Sequence, residues 1–284
     1  MTYDRTLTNR LIDMVIYGIL GVISACALLP FLYVFINSFS ATEEPFPSEW
    51  TLSAYRYIFS TDKFLRSLAV SVYITLLGTA LSLTATAFMA YGLSARSVPG
   101  RKWVLLMVLF TILFSGGMIP TYFVVRAVGL IDTLWALMIP GLMSGFYLLV
   151  MKDFFQSVPD ELKEAAQIDG CHEVGIFFRI IIPLSLPALA AFGLFYAVGL
   201  WNQYFSAILY INDSTKWPVQ VLLQQVIMQA SGIGDSTQMG ENMSFYGQSV
   251  RMAVIIVTTV PILLVYPFLQ KHFAKGVLLG SVKG

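Results

Sequence analysis

Six stretches of this chain are apolar over roughly 20 residues or more, and that length decides the class of fold. They run approximately over 12–39, 68–95, 103–126, 130–151, 184–210 and 250–270. About 20 apolar residues cross the hydrocarbon core of a bilayer as a helix. In lipid, backbone polar groups must be bonded within the segment, so spans of this kind are helical. The chain is 57% hydrophobic and only 12% charged, against about 25% charged for a soluble domain. We therefore expect an all-α integral membrane protein with six transmembrane helices. The third and fourth runs are separated only by Gly129 and its neighbours, which predicts a tight helical hairpin. The first run is too long for a signal-peptide core and ends without a small-residue cleavage site, so it reads as a retained anchor.

Several function classes are disfavoured. A net charge of +1 gives no reason to expect nucleic acid. Cys26 and Cys171 read as free thiols, and His172 and His272 show no metal-ligand spacing. No metal and no cofactor are expected. No G-x-x-x-x-G-K-[ST] stretch occurs, so the chain binds no nucleotide of its own. No acid–base pair or nucleophile constellation supports an active site, so we expect no enzyme activity in this chain. The spans carry almost no charge. Ion-coupled carriers usually need intramembrane acids or bases, so the driving energy comes from elsewhere.

An even number of spans puts both termini on one side. Eleven of the 17 Lys and Arg residues then fall on that face, leaving six on the other. The short Arg96–Lys102 loop has no acidic residue, and short loops weigh most in the positive-inside rule. Both termini and the loop around Glu164 are therefore expected to be cytoplasmic. Two outer segments remain. Residues 40–66 hold Glu43, Glu44, Pro45, Pro47 and Trp50. Residues 211–249 hold Trp217-Pro218, an amphipathic helix over Val219–Met228, and a flexible turn at Ser231-Gly232-Ile233-Gly234. That helix either lies on the membrane or touches an outer partner. Pro30, Pro120, Pro140 and Pro261 should kink their spans.

The stretch between the fourth and fifth runs is charged and helix-forming. Ser157 is placed to cap a helix, with Pro159 in its first turn and Asp160 three residues on. Asp160, Glu161 and Glu164 suit the positive end of the helix dipole. Leu162, Ala165, Ala166 and Asp169 share a face at i, i+3, i+4 and i+7, which the two alanines keep smooth. Gly170 is placed to end the helix in a left-handed conformation. A second short helix, about His172 to Ile182, presents Val174, Phe177 and Ile181 to the bundle and stops at Pro183. Read from the residues, this is either a docking element or a solvated loop.

Glu164-Ala165-Ala166, Asp169-Gly170, Phe177, Ile180 and Pro183 resemble the EAA loop of permease subunits from bacterial ABC importers. Cys171 stands where that family usually has Ala. The resemblance implies a type I ABC importer (MetI-like) permease fold. It implies an N-terminal span and outer loop over 1–66, then a core over 67–284 with a coupling loop (153–183) and a C-terminal tail (271–284). It assigns contact with the ATPase to Glu164, Ala165, Ala166, Asp169 and Gly170. The tail Lys275–Gly284 is similar to that of MalG-type sugar permeases, which implies ATPase-interface contacts by Gly280, Lys283 and Gly284. Phe114–Tyr122 and Trp201-Asn202 resemble the MalG-like branch that serves complex oligosaccharides, including uronate-containing ones. The implied partners are a second, MalF-like permease, two ATPase subunits, an extracellular or periplasmic solute-binding protein, and membrane lipid. The implied location is the bacterial plasma (inner) membrane.

A sugar site wants aromatic faces with amide or hydroxyl groups beside them. Tyr196, Trp201, Asn202, Gln203 and Tyr204 on the fifth run offer these, and Tyr122 and Tyr147 could join them. Aromatics also gather at membrane interfaces, and Asn also glues helices together. Gly78, Gly92, Gly116, Gly117, Gly141, Gly145, Gly193 and Gly199 read as close helix packing. An ABC permease for a non-sugar solute is an alternative. A stand-alone secondary carrier is a weaker one, since the chain lacks two matching halves.

Overall fold

The computed structural model describes residues 7–41, 47–230 and 247–280, with side chains at 10, 12–41, 47–228 and 247–265. In chain order its helices are α1 (Leu7–Asn37), α2 (Ser53–Ser60), α3 (Asp62–Ser94), α4 (Arg101–Leu113), α5 (Met118–Ala127), α6 (Gly145–Gln156) and α7 (Asp160–Ile168). There follow α8 (Glu173–Ile176), α9 (Ile182–Leu184), α10 (Leu186–Trp201), α11 (Phe205–Tyr210), α12 (Val219–Ala230) and α13 (Gln248–Gly280). Among the described residues the sole departure toward sheet is one antiparallel bridge between Ser40 and Trp50. The chain divides into two compact units, Met1–Thr61 with Val226–Thr259, and Asp62–Gln225 with Val260–Gly284.

In the first unit α1 is long and apolar enough to cross a bilayer. It runs on through Pro30 without breaking. Just past its end, the Ser38 hydroxyl meets the Tyr55 hydroxyl at 2.7 Å, and Phe39 packs its ring on Tyr55 at 5.0 Å. The Ala41 N–H donates to Glu49 O (3.0 Å) and the Thr51 N–H to Phe39 O (2.8 Å), which fixes the start of the segment after α1. Ala54 and Ile58 bury one side of α2. Glu43, Glu44 and Pro45 lie outside the described residues.

The second unit is organised on α3, a helix of 33 residues, about 50 Å long at 1.5 Å per residue. Its buried positions include Ser67, Ser71, Ile74, Gly78, Ser82 and Thr86. Small residues at these intervals make one narrow face, and α10 and α6 pack along α3. One core cluster gathers Ala87, Leu148, Met151, Phe155, Phe177 and Phe192. The other gathers Ile74, Val125, Leu137, Leu200, Tyr210 and Val221.

Three expected spans are not continuous helices. The third is α4, a non-helical break at Phe114–Gly117, then α5. Gly117 has φ +83° and Pro120 sits in the first turn of α5, so the chain cannot run straight through. The fourth has only a 3-10 turn at Leu134–Leu137 before α6 begins. Gly129 at φ +72° and the Pro140-Gly141 pair account for that. The expected helical hairpin is thus corrected to a set of short segments. The fifth run also breaks, between α10 and α11. Among the described residues three helices are long and apolar enough to cross, or four if Glu173–Leu184 and Leu186–Trp201, bent by 81°, count as one. In α13 the backbone stays helical through Pro261 to Gly280, so the last span and the start of the tail are one helix. Lys283 and Gly284 lie outside the described residues.

Candidate coupling and substrate sites

The loop after α6 is built almost wholly from local bonds. Ser157 does not cap α7. Its hydroxyl donates back to Phe154 O (2.7 Å) and closes α6, and α7 opens after Pro159 without a side-chain cap. Pro159 is extended (ψ 133°), which separates Ser157 from the amides it was expected to serve. Asp160 instead accepts from Lys163 Nζ at 2.9 Å, and that bond holds its carboxyl below the ordinary range. The other end of α7 follows expectation. Gly170 has φ +79°, its N–H donates to Gln167 O (3.0 Å), and the Cys171 N–H donates to Ala166 O (2.9 Å). That pair of bonds is the Schellman C-terminus, and it depends on a left-handed residue at this position.

The face of α7 differs from the expected one. Ala166 turns inward, 8% exposed, and joins the core cluster beneath it. Glu164, Ala165 and Asp169 are exposed, as are Leu162 and, at 86%, Ile168. The adjacent alanines straddle the boundary because neighbours on a helix point about 100° apart. Beyond Gly170 the buried stripe is Ile176, Phe177 and Ile181, while Val174 is exposed. Phe177–Ile181 is a π turn, with bonds five residues apart, and this brings Ile176 and Ile181 to one side. Phe177 stacks on Phe88 at 4.9 Å and meets Tyr91 at 5.0 Å and Phe155 at 6.4 Å. The chain does not stop at Pro183. It continues through α9 and turns at the buried Ser185 into α10.

The substrate candidates fall into two groups. Tyr196 is buried, sharing a hydrogen bond with Thr86 Oγ1 (2.8 Å) and accepting the Ser144 N–H (3.1 Å). Tyr147 packs against Tyr196, Phe192 and Phe195 at 5.1, 5.5 and 5.8 Å. Trp201 is buried beside an apolar pocket of about 190 Å³ with Val72, Leu76, Leu194, Val198 and Pro261. The second group lies at the break after α10. Asn202 is exposed, donates Nδ2 to Val198 O (2.9 Å) and accepts Gln220 Nε2 at 3.5 Å. Gln203 donates Nε2 to Leu137 O (2.8 Å), and its buried Oε1 has no partner. Tyr204 and Tyr122 flank the second core cluster, with Tyr122 stacked on Tyr210 at 6.3 Å.

The expected outer helix forms as α12, but its apolar face is buried in protein. Val219, Val221 and Leu222 are buried, and the Val219 N–H donates to Ser71 Oγ at 2.8 Å. Ser231–Gly234 lie outside the described residues.

The family described as the binding-protein-dependent transport system inner membrane component matches residues 6–279. This chain belongs to that family. It is 53% identical to the polygalacturonan/rhamnogalacturonan transport system permease protein YtcP of Bacillus subtilis, over 97% of this chain and 99% of the relative. It is 50% identical to protein LplC of the same organism, over 100% of this chain and 98% of that one. A chain of a bacterial ABC transporter that imports the acidic polysaccharide alginate superposes with a TM-score of 0.87 at 29% identity. That match covers 96% of this chain and 100% of that one. The chain is an ABC transporter permease, a multi-pass inner-membrane component that is not itself catalytic.

Within this permease, sequence reasoning missed two polar features. One is a charged knot between the α5–α6 and α11–α12 connections. Lys216 Nζ donates to Asp132 O (2.8 Å) and Oδ2 (3.2 Å) and lies 3.6 Å from Asp213 Oδ2, while Asp132 Oδ1 accepts the N–H groups of Asn212 and Asp213. The other is a polar cleft of about 660 Å³ behind α7, lined by Tyr91, Arg96, Gln156, Asp160, Lys163 and Glu173. Asp132 read as part of an apolar run, and the cleft joins residues far apart in sequence, so neither carried a local signal.

Proposed function

We propose that this permease forms half of the path of an importer for acidic plant-wall oligosaccharides. The chain is a carbohydrate importer permease, and the carrying observation is its full-length 53% identity to a polygalacturonan/rhamnogalacturonan permease. The fold match to an importer of another acidic polysaccharide supports the same cargo class. A MalF-like permease supplies the other half, two ATPase subunits drive it, and a solute-binding protein delivers the sugar. The functional core is 67–284, with 1–66 a peripheral span and outer loop. The chain crosses six times with both termini cytoplasmic. α4–α5 count as one broken pass, and the irregular 130–144 stretch with α6 as another. Such backbone is tolerated at membrane depth where protein or a cavity covers it.

Coupling runs through α7. Glu164 meets a basic residue of the ATPase, Ala165 allows close approach, Asp169 and Gly170 close the helix, and Ala166 passes the movement to the core. Gly280, Lys283 and Gly284 reach the ATPase interface. Asn202, Tyr204 and Tyr122 contact the sugar in preference to the buried Tyr196 and Trp201 and the half-buried, ring-packed Tyr147. The test is uptake of labelled trigalacturonate by cells making the whole importer. Uptake should vanish when this chain is deleted and fall at least about tenfold in Glu164→Lys, the scale of an allosteric coupling energy. An ATPase and a second permease should copurify. Undiminished trigalacturonate uptake in the deletion strain would refute the cargo assignment.

A further inference from the structure

We infer that Glu173 and Tyr91 form a strut that carries movement of α7 to α3, and that both are positioning residues for coupling. The inference rests on the coupling role proposed for α7. That helix has a weak hold on the bundle: Ala166 is its one buried residue, and a single methyl group buries little apolar surface. A second connection exists outside the EAA-like residues. Gln167, in the last turn of α7, donates Nε2 to Glu173 Oε1 at 3.0 Å. Tyr91, near the cytoplasmic end of α3, donates its hydroxyl to Glu173 Oε2 at 2.7 Å. The two oxygens of one carboxylate thus join α7 to α3, and both bonds have a charged acceptor, which makes them strong for their kind.

The receiving end is firmly held. The Tyr91 ring rests against the buried Phe177. Gln156 of α6 donates Nε2 to Ser94 O (2.8 Å), and Arg101 of α4 donates Nε to Leu93 O (2.7 Å), so the last carbonyls of α3 are bonded from both neighbours. A pull on α7 therefore reaches α3, and α3 is the helix along which α10 and α6 pack. The strut lies at the solvent edge, where polar bonds add little to folding stability. Its loss should show in coupling rather than in folding.

The experiment uses the whole complex in proteoliposomes and measures labelled trigalacturonate uptake together with ATP hydrolysis. Tyr91→Phe and Glu173→Ala should each lower sugar transported per ATP about five- to tenfold. Basal hydrolysis and thermal unfolding should not move. The double variant should be no worse than either single, because each already breaks the chain of bonds from Gln167 to Tyr91. Wild-type transport per ATP in both singles, or additive losses in the double, would overturn the strut. Glu164→Lys serves as the reference. If it abolishes transport while the strut variants behave as wild type, only the strut fails. If it too transports normally, the coupling role of α7 fails.

Discussion

The loop around α7 and the α10–α12 region both interrupt apolar runs, yet they are held by different means. In the loop, Ser157 bonds Phe154, Gly170 bonds Gln167 and Cys171 bonds Ala166. In the other region Tyr196 bonds Thr86 across 110 residues, Lys216 bonds Asp132 across 84, and Val219 bonds Ser71 across 148. Apart from the Glu173–Tyr91 bond and the apolar anchor at Phe177, the loop is a local device on the surface of a firm bundle. The α10–α12 region is part of the bundle itself. Changes in the loop should therefore cost function before stability, and changes around α10–α12 the reverse.

The strongest test of that contrast is Gly170→Val. A Cβ at Gly170 meets nothing within 4 Å, so strain at φ +79° is its whole effect. A left-handed conformation costs a non-glycine residue roughly 1–2 kcal/mol, more for a β-branched one. Uptake should drop at least about tenfold, and because unwinding the last turn of α7 relieves the strain without opening the bundle, the unfolding temperature should move less than in a core variant. Unchanged uptake would remove Gly170 from the coupling element.

Gly78→Ala tests the other side. Its Cβ would stand 2.8 Å from Leu200 Cδ1 and 3.2 Å from Met138 Cγ. Overpacking of that kind costs about 1–3 kcal/mol, so the unfolding temperature should fall. Gly193→Ala, whose Cβ would sit at an ordinary 3.7 Å from Leu83 Cδ2, is the matched control. Equal loss in both would show that the close approach of Leu200 to Gly78 is not the cause.

Tyr196→Phe sharpens the division among the substrate candidates. It leaves the buried Thr86 hydroxyl and the Ser144 N–H short of a partner, at a cost of about 1–3 kcal/mol. Stability should fall while the KM for uptake stays constant. A raised KM with unaltered stability would instead make Tyr196 a sugar contact.

The smallest effect concerns acid. Bonds from the Thr215 hydroxyl and N–H, with Lys216 nearby, hold the Asp213 carboxyl below its usual range. A depressed carboxylate pKa stabilises the fold above the unfolded value, and that contribution is lost as pH falls through the folded pKa. The unfolding temperature should therefore fall below about pH 4, and Asp213→Asn should flatten that limb. An identical acid limb in the variant would exclude Asp213 from it.

The sequence made the membrane class, the first, second and last spans, and the Gly170 terminus legible. Each rests on residues adjacent along the chain. The same reading placed Ser157 as a cap and Val174 on the buried face. Both assignments depend on where Pro159 and the π turn set the helical phase, which composition does not encode. The eight glycines offered for close packing show the limit well. Only Gly78 and Gly145 would bring a new Cβ within 3.0 Å of a neighbour.

By itself the sequence determined that this chain lives in a bilayer and presents a charged helix with a left-handed stop. Apolar run length and local backbone chemistry suffice for that. The tertiary structure decided which alanine turns inward, which aromatics are packed away, and how Glu173 meets Tyr91. Those are choices among side chains of equal local preference, settled only when α3, α6 and α10 come together and each buried polar group must find its partner.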